Sequence, residues 1–401
     1  MTLPVRLLKW WRGLGKERAT SIVCFASVLV LGVILMAGLW PFRPPTNQVR
    51  WVESQPGLEF GRYGTVVSAG LFRSGDVPTT TGTIEIWLRP SGTRNRGTIL
   101  SFDQSDHPGM PLSLEERADA IGIRRNNVDP QNVSHTALFY AGGVFHPDQP
   151  VFIAVSLEER GVSVYVNGTL AQAFSHSRAW NDLTGRLVLA NAPASNDTWS
   201  GQILGLAIQR QGLTPSQILA DHKNWLTTRR PINVGGDGAA LYLFDERRGA
   251  RVENKLDPST GLDIADNFFI LHPAFLELPW NEYRPTRGYW QDVALNVAGF
   301  VPWGLCVFFF LSLRSLSKYP VAVTVGAGVA VSLTLEVLQG ALPTRNSSTT
   351  DLITNTLGTV IGILICKSTL VQMLLAEADR PFNGAERPQV MDPSAATRVS
   401  V

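Results

Sequence analysis

Carboxylate and carboxamide side chains interrupt three apolar runs near the C-terminal end of the 401-residue sequence. In each run an acidic or hydroxyl-bearing residue is followed four positions later by an amide or an acid, and the pattern continues seven and eleven positions after the first residue. That spacing puts them on one face of an α-helix. The polar members are Asp292, Asn296, Ser332, Glu336, Gln339, Asp351 and Asn355. Carboxylates serve as general acids or bases and amides orient substrates, so the pattern predicts a polar pocket.

The three polar faces are predicted to meet at one depth. With a helical rise of about 1.5 Å per residue, Asn296 and Asn355 lie about 6 Å beyond the acids that open their runs. Glu336 lies about 9 Å before the end of its run at Leu342. Arg345, in the loop between the second and third runs, is placed to neutralise one of the acids. A charge at the bilayer centre costs about 3 kcal/mol, so exposure to lipid without a partner is not expected.

Two interpretations of this polar cluster remain open. In the first, the polar groups join the helices by interhelical hydrogen bonds, and small residues allow close approach. The residues assigned to helix packing are Gly299, Pro302, Gly304, Gly358 and Gly362. In the second, the cluster is a functional pocket, because packing alone does not require three carboxylates and an arginine at one depth. The two interpretations are compatible with each other.

The apolar runs predict four membrane-spanning helices, at residues 21–41, 292–313, 321–342 and 352–375. Each is about long enough to cross ~30 Å of hydrocarbon. Residues 1–20 hold five basic residues against one acid, and the positive-inside bias keeps such a segment in the cytoplasm. The sequence thus predicts a multi-pass protein of the inner (cytoplasmic) membrane, with both termini cytoplasmic and the tail 376–401 disordered. A cleaved signal peptide is the alternative for the first run, which is longer than a usual signal core.

Composition excludes other classes of protein. The formal net charge is +2 and no basic stripe lies beyond residue 20, so nucleic acid is not an expected partner. The three cysteines, Cys24, Cys306 and Cys366, all lie in apolar runs. The middle of the chain therefore has neither a disulfide framework nor a cysteine-based metal site.

Residues 46–285 are predicted to form an extracytoplasmic antiparallel β-sandwich, or jelly roll. Short stretches such as 83–88 alternate in the strand period between turn residues. Asn167-Gly168, between two such stretches, predicts a hairpin with a type I′ turn. Thr214-Pro215-Ser216-Gln217 is a capping box with proline at the first helical position, and its helix is predicted to reach about Trp225. Many short strands with one late helix are typical of a sandwich.

Four stretches between residues 81 and 225 read TIEIWLRP, GTILSF, FIAVSLEERGVSVYVNGTL and GQILGLAIQRQGLTPSQILADH. In this order they resemble the laminin-G-like, concanavalin A-like lectin/glucanase domain. The resemblance implies carbohydrate or protein binding, in some members with calcium; no other cofactor is expected. The candidate ligand-binding residues are Trp180, Trp199, Asn196 and Asp197. The alternatives are core packing for the tryptophans and solvated loops for the polar pair. Glycosidase chemistry needs two facing carboxylates at a defined separation, which the sequence does not supply.

The polar runs carry a second resemblance. DVALNVAGFVPWG and SLTLEVLQGALPTRNSSTTDLITNTLGTVIG are similar to the VanZ-like membrane family over about residues 289–365, in a predicted domain of 289–375. The shared pattern is an acid and Asn before Gly-Phe-x-Pro-x-Gly, then Glu-x-x-Gln, Pro-x-Arg and Asp-x-x-x-Asn-x-x-Gly. The family usually has one more span upstream. Residues 21–41 would supply it, which makes the β domain an insertion in the first outer loop. Some members are linked to low-level glycopeptide resistance, which the resemblance does not extend to this chain.

Two functional hypotheses follow. In the leading one, this is a cell-envelope membrane protein whose sandwich recognises a glycan or an envelope protein, and whose bundle holds a polar pocket near the outer membrane face; no catalytic residue is assigned. In the alternative, the pocket is an enzyme site for a lipid-linked or cell-wall substrate, with Glu336 or Asp351 as acid or base and Arg345 as anion clamp. Transport is less favoured, because four spans are few and no inverted repeat is evident.

Overall fold

The computed structural model describes residues 15–73, 81–92, 96–104, 112–128, 134–175, 183–235, 239–283 and 285–368. The chain divides into two compact units. The sandwich unit contains Pro41–Phe275 and Gly340–Asn346, and the helical unit contains Met1–Trp40, Leu276–Gln339 and Ser347–Val401. The predicted fold class, an antiparallel β-sandwich plus a helical bundle, is confirmed.

The sandwich unit consists of two antiparallel sheets. The first sheet has the order β1 (Val49–Trp51), β2 (Leu58–Phe60), β13 (Gly201–Gln209), β4 (Gly82–Pro90), β9 (Val151–Glu158), β10 (Gly161–Val166) and β11 (Thr169–Ser175), and β14 (Ala240–Tyr242) also pairs with β13. The second sheet has the order β15 (Arg251–Val252), β16 (Leu262–Asp263), β3 (Val66–Ser68), β12 (Arg186–Leu189), β5 (Arg96–Asp103), β6 (Leu112–Arg117), β7 (Ala120–Val128) and β8 (Ser134–Ala141).

One hydrophobic core lies between the two sheets, and the alternation along each strand decides which side chains reach it. On β4, Ile84, Ile86 and Leu88 belong to this core and are almost completely buried. Each such side chain contributes about 1.5–3 kcal/mol through burial. Because strand residues alternate between faces, Glu85 and Trp87 lie on the outer face of the same strand. That outer face is covered by a helix.

The covering helix is α2 (Pro215–Thr228), which follows α1 (Gly15–Leu39) in the chain. Both halves of the predicted capping box are present: Thr214 accepts from the Gln217 N–H, and the Gln217 side chain accepts from the Thr214 N–H. The helix runs three residues beyond its predicted end at Trp225. The Trp225 ring lies over Gly205 of β13, where an added Cβ would come within 2.4 Å of it. A glycine is therefore needed for α2 to dock this closely.

The predicted hairpin between β10 and β11 is also confirmed. Asn167 and Gly168 have φ angles of 50° and 79°, and the flanking strands pair through Val166 and Thr169. Two successive positive φ angles are the requirement of a type I′ turn, which matches the twist of the strands.

The helical unit contains α1, the short α3 (Pro279–Glu282), α4 (Arg287–Arg314), α5 (Pro320–Gln339) and α6 (Thr349–Cys366). Four helices are long and apolar enough to cross a membrane: Glu17–Leu39 of α1, and α4, α5 and α6. Helix α4 begins five residues before the predicted 292, because Thr286 caps it by accepting from the Tyr289 N–H. Helix α5 ends at Gln339, not 342. The predicted tail 376–401 lies outside the described residues.

Helices α4 and α6 touch backbone to backbone at glycines. A Cβ added to Gly304, Gly358 or Gly362 would lie 2.1–2.2 Å from a backbone oxygen of the facing helix. Small residues of this kind let membrane helices approach closely. Gly299 differs from them, because no atom lies within 4 Å of the place its Cβ would occupy, so it is on an open face of α4. Pro302 lies inside α4, where it removes one backbone donor.

Candidate functional site

Asp351 and Asn296 form the first contact of the polar site in the helical unit. Asp351 lies in the first turn of α6, and Asn296 lies in the N-terminal half of α4. The Asn296 Nδ2 donates to Asp351 Oδ1 at 2.7 Å. A hydrogen bond to a carboxylate is stronger than one between neutral groups. It fixes both the acid and the amide between two helices.

Glu336 and Ser348 form the second contact. Glu336, on α5, has only 1% of its side chain exposed, and its Oε2 accepts from the backbone N–H of Ser348 at 2.7 Å. Ser348 is also the N-cap of α6, where its hydroxyl accepts from the Thr350 N–H. The same hydroxyl donates to Glu282 Oε2. Ser348 thus links two carboxylates at the start of α6.

The segment that carries Glu282 is fixed to the loop before α6. Glu277 forms a parallel bridge with Ser348, and its carbonyl accepts from both the N–H and the hydroxyl of Thr349. The Leu276 N–H donates to the Ser347 hydroxyl. Residues ahead of α4 therefore belong to the polar site. For Ser348, the signal in the sequence was the spacing Ser348-x-x-Asp351, which is typical of an N-cap followed by an acid in the first helical turn.

Two further amides bind across helices. Asn355 Nδ2 donates to the Ser332 hydroxyl at 3.0 Å, joining α6 to α5. Gln339 Nε2 donates to the Gly38 carbonyl at 2.9 Å, joining α5 to α1. Their carbonyl oxygens, Asn355 Oδ1 and Gln339 Oε1, are buried without a hydrogen-bond partner among the described residues. Buried polar atoms usually have partners, so each oxygen is an acceptor open to a water or a ligand.

The structure does not bring every predicted member into this site. Asp292 is exposed on α4 and makes no hydrogen bond or ion pair with the described residues. Arg345 belongs to Gly340–Asn346, which groups with the sandwich unit, so its place beside an acid of the helical unit stays a prediction. Asn296 and Asp351, both predicted members, bind each other, and Asn355 binds Ser332 of the predicted polar face. Glu336 instead accepts from Ser348, which sequence reasoning did not assign to the pocket.

In the sandwich unit, the predicted ligand-binding residues that the structure describes do not share one exposed surface. Trp180 lies outside the described residues. Trp199 is completely buried in the core between the sheets, and its Nε1 donates to Glu116, so neither face of its ring is open to a sugar. Asn196 is exposed, and Asp197 is half-buried. Asp197 Oδ2 accepts from the Thr98 hydroxyl at 3.0 Å and from Arg117 at 3.2 Å.

A row of polar side chains crosses the outer face of the second sheet beside Asp197. Cross-strand register aligns Thr98 of β5 with Glu115 of β6, Glu115 with Gly122 of β7, and Gly122 with Tyr140 of β8. A Cβ on Gly122 would lie 2.8 Å from the Tyr140 ring and 3.6 Å from the Glu115 Cβ. The ring therefore extends over Gly122 towards Glu115, and 45% of Tyr140 stays exposed.

Two arginines hold the acid in this row. Glu115 pairs with Arg117 at 2.8 Å and with Arg124 at 3.2 Å, and both arginines keep about a third of their side chains exposed. Sequence reasoning missed Tyr140, Arg117 and Arg124. The strand period indicated that Tyr140 and Leu138 share a face, but the register that brings Tyr140 to Glu115 is not visible in the sequence.

The outer face of the first sheet carries a different acidic pair, under helix α2. Glu85 and Asp221 are both completely buried, and the side chain of Glu85 faces that of Asp221. Asp221 Oδ1 accepts from the Ile232 N–H, the Asn233 N–H and the Asn233 side chain. Neither oxygen of Glu85, nor Asp221 Oδ2, accepts from a donor in good geometry, although the Gln209 amide lies beside Glu85. Burial and then the nearby Asp221 raise the pKa of Glu85 to about 9.

No group of three or more His, Cys, Asp or Glu among the described residues is arranged to hold a metal ion. The calcium expectation for the sandwich stays a prediction.

Two family models match separate parts of the sequence. The VanZ/LLP1 model matches residues 250–372, and the model of the Concanavalin A-like lectin/glucanases superfamily matches residues 64–219. Both predicted resemblances are confirmed. The VanZ/LLP1 match begins ahead of the predicted 289 and so includes Glu282.

No protein of curated function matches the sequence significantly. The CBM40 of a Ruminococcus gnavus IT-sialidase, solved with alpha2,3 sialyllactose, is 12% identical, with 35% of this chain and 82% of that chain covered and a TM-score of 0.29. A SAP-like pentraxin from Limulus polyphemus is 13% identical, with 49% and 92% covered and a TM-score of 0.34. Domain 4 of AbnA, a Geobacillus stearothermophilus arabinanase solved with arabinotriose, is 13% identical, with 44% and 85% covered and a TM-score of 0.32.

Proposed function

We propose that this chain, in which a VanZ-like segment follows a concanavalin A-like domain, is a cell-envelope membrane protein whose sandwich recognises an envelope glycan. The sandwich lies between α1 and α4 in the sequence, so its two ends leave the membrane on the same side. The basic segment 1–20 supports a cytoplasmic N-terminus and hence an outward-facing sandwich. The polar site of the helical unit then lies near the outer membrane face.

The observation that carries this proposal is the row from Thr98 to Tyr140 on the second sheet. Tyr140 offers a partly exposed ring, Glu115 lies next to it, and Arg117 binds both Glu115 and Asp197. Sugar rings present C–H groups that pack on aromatic faces and hydroxyls that bind carboxylates and guanidinium groups. The row supplies both kinds of contact side by side.

The row also supports recognition because its side chains are already held in place. Glu115 is 2% exposed and fixed between two arginines, and Arg117 is fixed by two acids. Side chains that are ordered before binding lose little conformational entropy on binding. A ligand would thus meet a preformed surface.

Binding of envelope polysaccharides to the full-length protein, purified in detergent and measured on a glycan array, tests this function. Tyr140→Ala should weaken binding about tenfold, since an aromatic contact contributes roughly 0.5–1.5 kcal/mol beyond its area. Gly122→Ala should weaken it as well, because the new Cβ displaces the Tyr140 ring.

Leu170→Ala is the matched control, because Leu170 is 51% exposed on β11 of the first sheet, away from the row. It should bind like the wild type. Glycan binding by the wild type that neither Tyr140→Ala nor Gly122→Ala weakens would contradict the assignment of the row. Absence of any glycan binding would contradict the function itself.

A second candidate function is catalysis in the polar site of the helical unit. The observation that favours it is the pair of open acceptors, Asn355 Oδ1 and Gln339 Oε1, buried in the same unit as Glu336 and Asp351. Buried polar atoms in a purely structural network usually have hydrogen-bond partners. In this function Glu336 or Asp351 transfers a proton to or from a lipid-linked or cell-wall substrate.

Glu336→Gln tests the catalytic candidate, because glutamine still accepts from the Ser348 N–H but transfers no proton. The variant should reach wild-type protein levels and still fail to restore a gene-deletion strain. Full restoration by Glu336→Gln would leave the site with a structural role only.

A further inference from the structure

A groove runs along the contact between α1 and α4, at the end of the helical unit where α1 begins and α4 ends. Its volume is about 460 Å³. One end is polar and is lined by Thr20, Ser21 and Arg314. The other end is apolar and is lined by Phe25, Val28 and Phe310. The groove is therefore amphipathic along its length.

Arg314 provides the charge at the polar end. It lies in the last turn of α4, is exposed, and makes no hydrogen bond or ion pair with any described residue. Its guanidinium group presents five N–H donors in a fork that suits a phosphate. The other charged residues in the first turn of α1 are Lys16, Glu17 and Arg18, so the local balance is positive.

The position of the groove selects the kind of ligand. Both walls belong to helices that are long and apolar enough to cross a membrane. Ser21 and Val28 are seven residues apart, so the groove follows α1 for about 10 Å at a helical rise of 1.5 Å per residue. Its polar end lies at the helix ends, where lipid headgroups lie, and its apolar end lies deeper. Basic pockets between membrane helices are known to bind anionic headgroups.

We propose that this groove binds one anionic phospholipid, with the phosphate at Arg314 and an acyl chain along Phe25, Val28 and Phe310. Charge complementarity favours an anionic lipid over a zwitterionic one, because the amine of a zwitterionic headgroup would bring a positive charge close to Arg314. The apolar end of the groove favours a lipid over inorganic phosphate, because phosphate has no acyl chain to pack there. The site is independent of both the glycan row and the polar site around Glu336.

The test uses full-length protein reconstituted in vesicles of equal phosphatidylglycerol and phosphatidylcholine, extracted in mild detergent and weighed by native mass spectrometry. The wild type should keep about one phosphatidylglycerol per chain, and Arg314→Gln should lower that occupancy at least fivefold. Lys318→Gln is the matched control, because Lys318 is basic and four residues further along the chain but does not line the groove. It should retain lipid like the wild type.

A second variant acts on the apolar end. Val28→Trp fills the groove and should lower phosphatidylglycerol occupancy while leaving Arg314 in place. Equal loss in Arg314→Gln and Lys318→Gln would show a general charge effect and overturn the site. Equal retention of phosphatidylcholine and phosphatidylglycerol by the wild type would overturn the anionic ligand. Displacement of the lipid by millimolar inorganic phosphate would show that the apolar end contributes nothing.

Discussion

Glu336 in the helical unit and Glu85 in the sandwich unit are both almost completely buried, yet their carboxyl groups meet opposite surroundings. Glu336 faces a donor, the backbone N–H of Ser348. Glu85 faces another carboxyl group, that of Asp221, whose other oxygen already accepts three hydrogen bonds. The first arrangement pairs an acceptor oxygen with a backbone donor. The second needs a proton between the two groups.

This difference separates a site from a structural contact. A buried carboxyl group whose oxygen receives a backbone donor has its hydrogen bond satisfied without a second carboxyl group. Two carboxylates in contact repel each other unless one is protonated, and a shared proton turns the repulsion into a hydrogen bond. We infer that the proton lies on Glu85, since three donors already bind Asp221. The Glu85–Asp221 pair then attaches α2 to the first sheet.

The largest expected effect concerns the pH dependence of the sandwich. The pKa of Glu85 is raised from an ordinary 4.5 to about 9, so the folded state holds a proton that the unfolded state has lost. Stability from this group is complete below pH 4.5 and falls as pH rises towards 9, by about 1.4 kcal/mol per pH unit. Between pH 7 and pH 9 the wild type should lose up to about 3 kcal/mol more than Glu85→Gln, measured from the melting of the sandwich.

Asp221→Asn provides the control for this result. The substitution removes the like charge beside Glu85, and the new amide can donate a hydrogen bond to Glu85. Its pH dependence should be weaker than that of the wild type. His222, on the same helix, does not complicate the range, since burial lowers its pKa and it is neutral above pH 7. Parallel melting curves for the wild type and Glu85→Gln from pH 7 to pH 9 would refute the shared proton.

An intermediate effect is expected at Glu336. Glu336→Ala removes the acceptor and leaves the Ser348 N–H buried without its partner, which costs about 1–3 kcal/mol. Glu336→Gln keeps an acceptor and should cost less than about 1 kcal/mol. The measurement is the melting temperature of the full-length protein in detergent. Equal destabilisation by the two variants would mean that charge, not the hydrogen bond, holds Glu336 in place.

The smallest effect is expected for the Asn296–Asp351 pair, where the hydrogen bond joins α4 to α6. A double-mutant cycle with Asn296→Ala and Asp351→Ala should give a coupling of about 0.5–1.5 kcal/mol. Asp292→Ala is the matched single control on α4, because this acid is exposed, and it should change stability by less than about 0.5 kcal/mol. A coupling near zero would mean that this hydrogen bond does not stabilise the contact between α4 and α6.

Local features were predictable because they depend on residues close in the chain. The lengths of the apolar runs predicted four helices, Asn167-Gly168 predicted a type I′ turn, and the spacing from Thr214 to Gln217 predicted the start of α2. Each signal acts within a few residues through hydrogen bonding, φ preference or helical periodicity. The helix limits shifted by a few residues where a cap such as Thr286 or Ser348 extends the first turn.

Within the polar site, the sequence determined which faces of α4, α5 and α6 are polar, but not which atoms meet. Glu336 and Asp351 were recognised from helical spacing alone. Asn296 was assigned to the same pocket, but its pairing with Asp351 was not predicted. Ser348 was not assigned, because its N–H reaches Glu336 only after the helices pack at a particular rotation and height. Glycines at the α4–α6 contact allow that packing.

The sequence by itself determined the four helices that are long and apolar enough to cross a membrane, the sandwich and the positions of its polar residues, since these follow from short-range pattern and composition. Only the tertiary structure decided that Trp199 lies in the core, that Tyr140 reaches Glu115 across Gly122, and that Glu85 meets Asp221. These partners are far apart in the chain, and strand register and helix docking bring them together. Contacts of this kind depend on the packing of the whole unit, which no local stretch of sequence encodes.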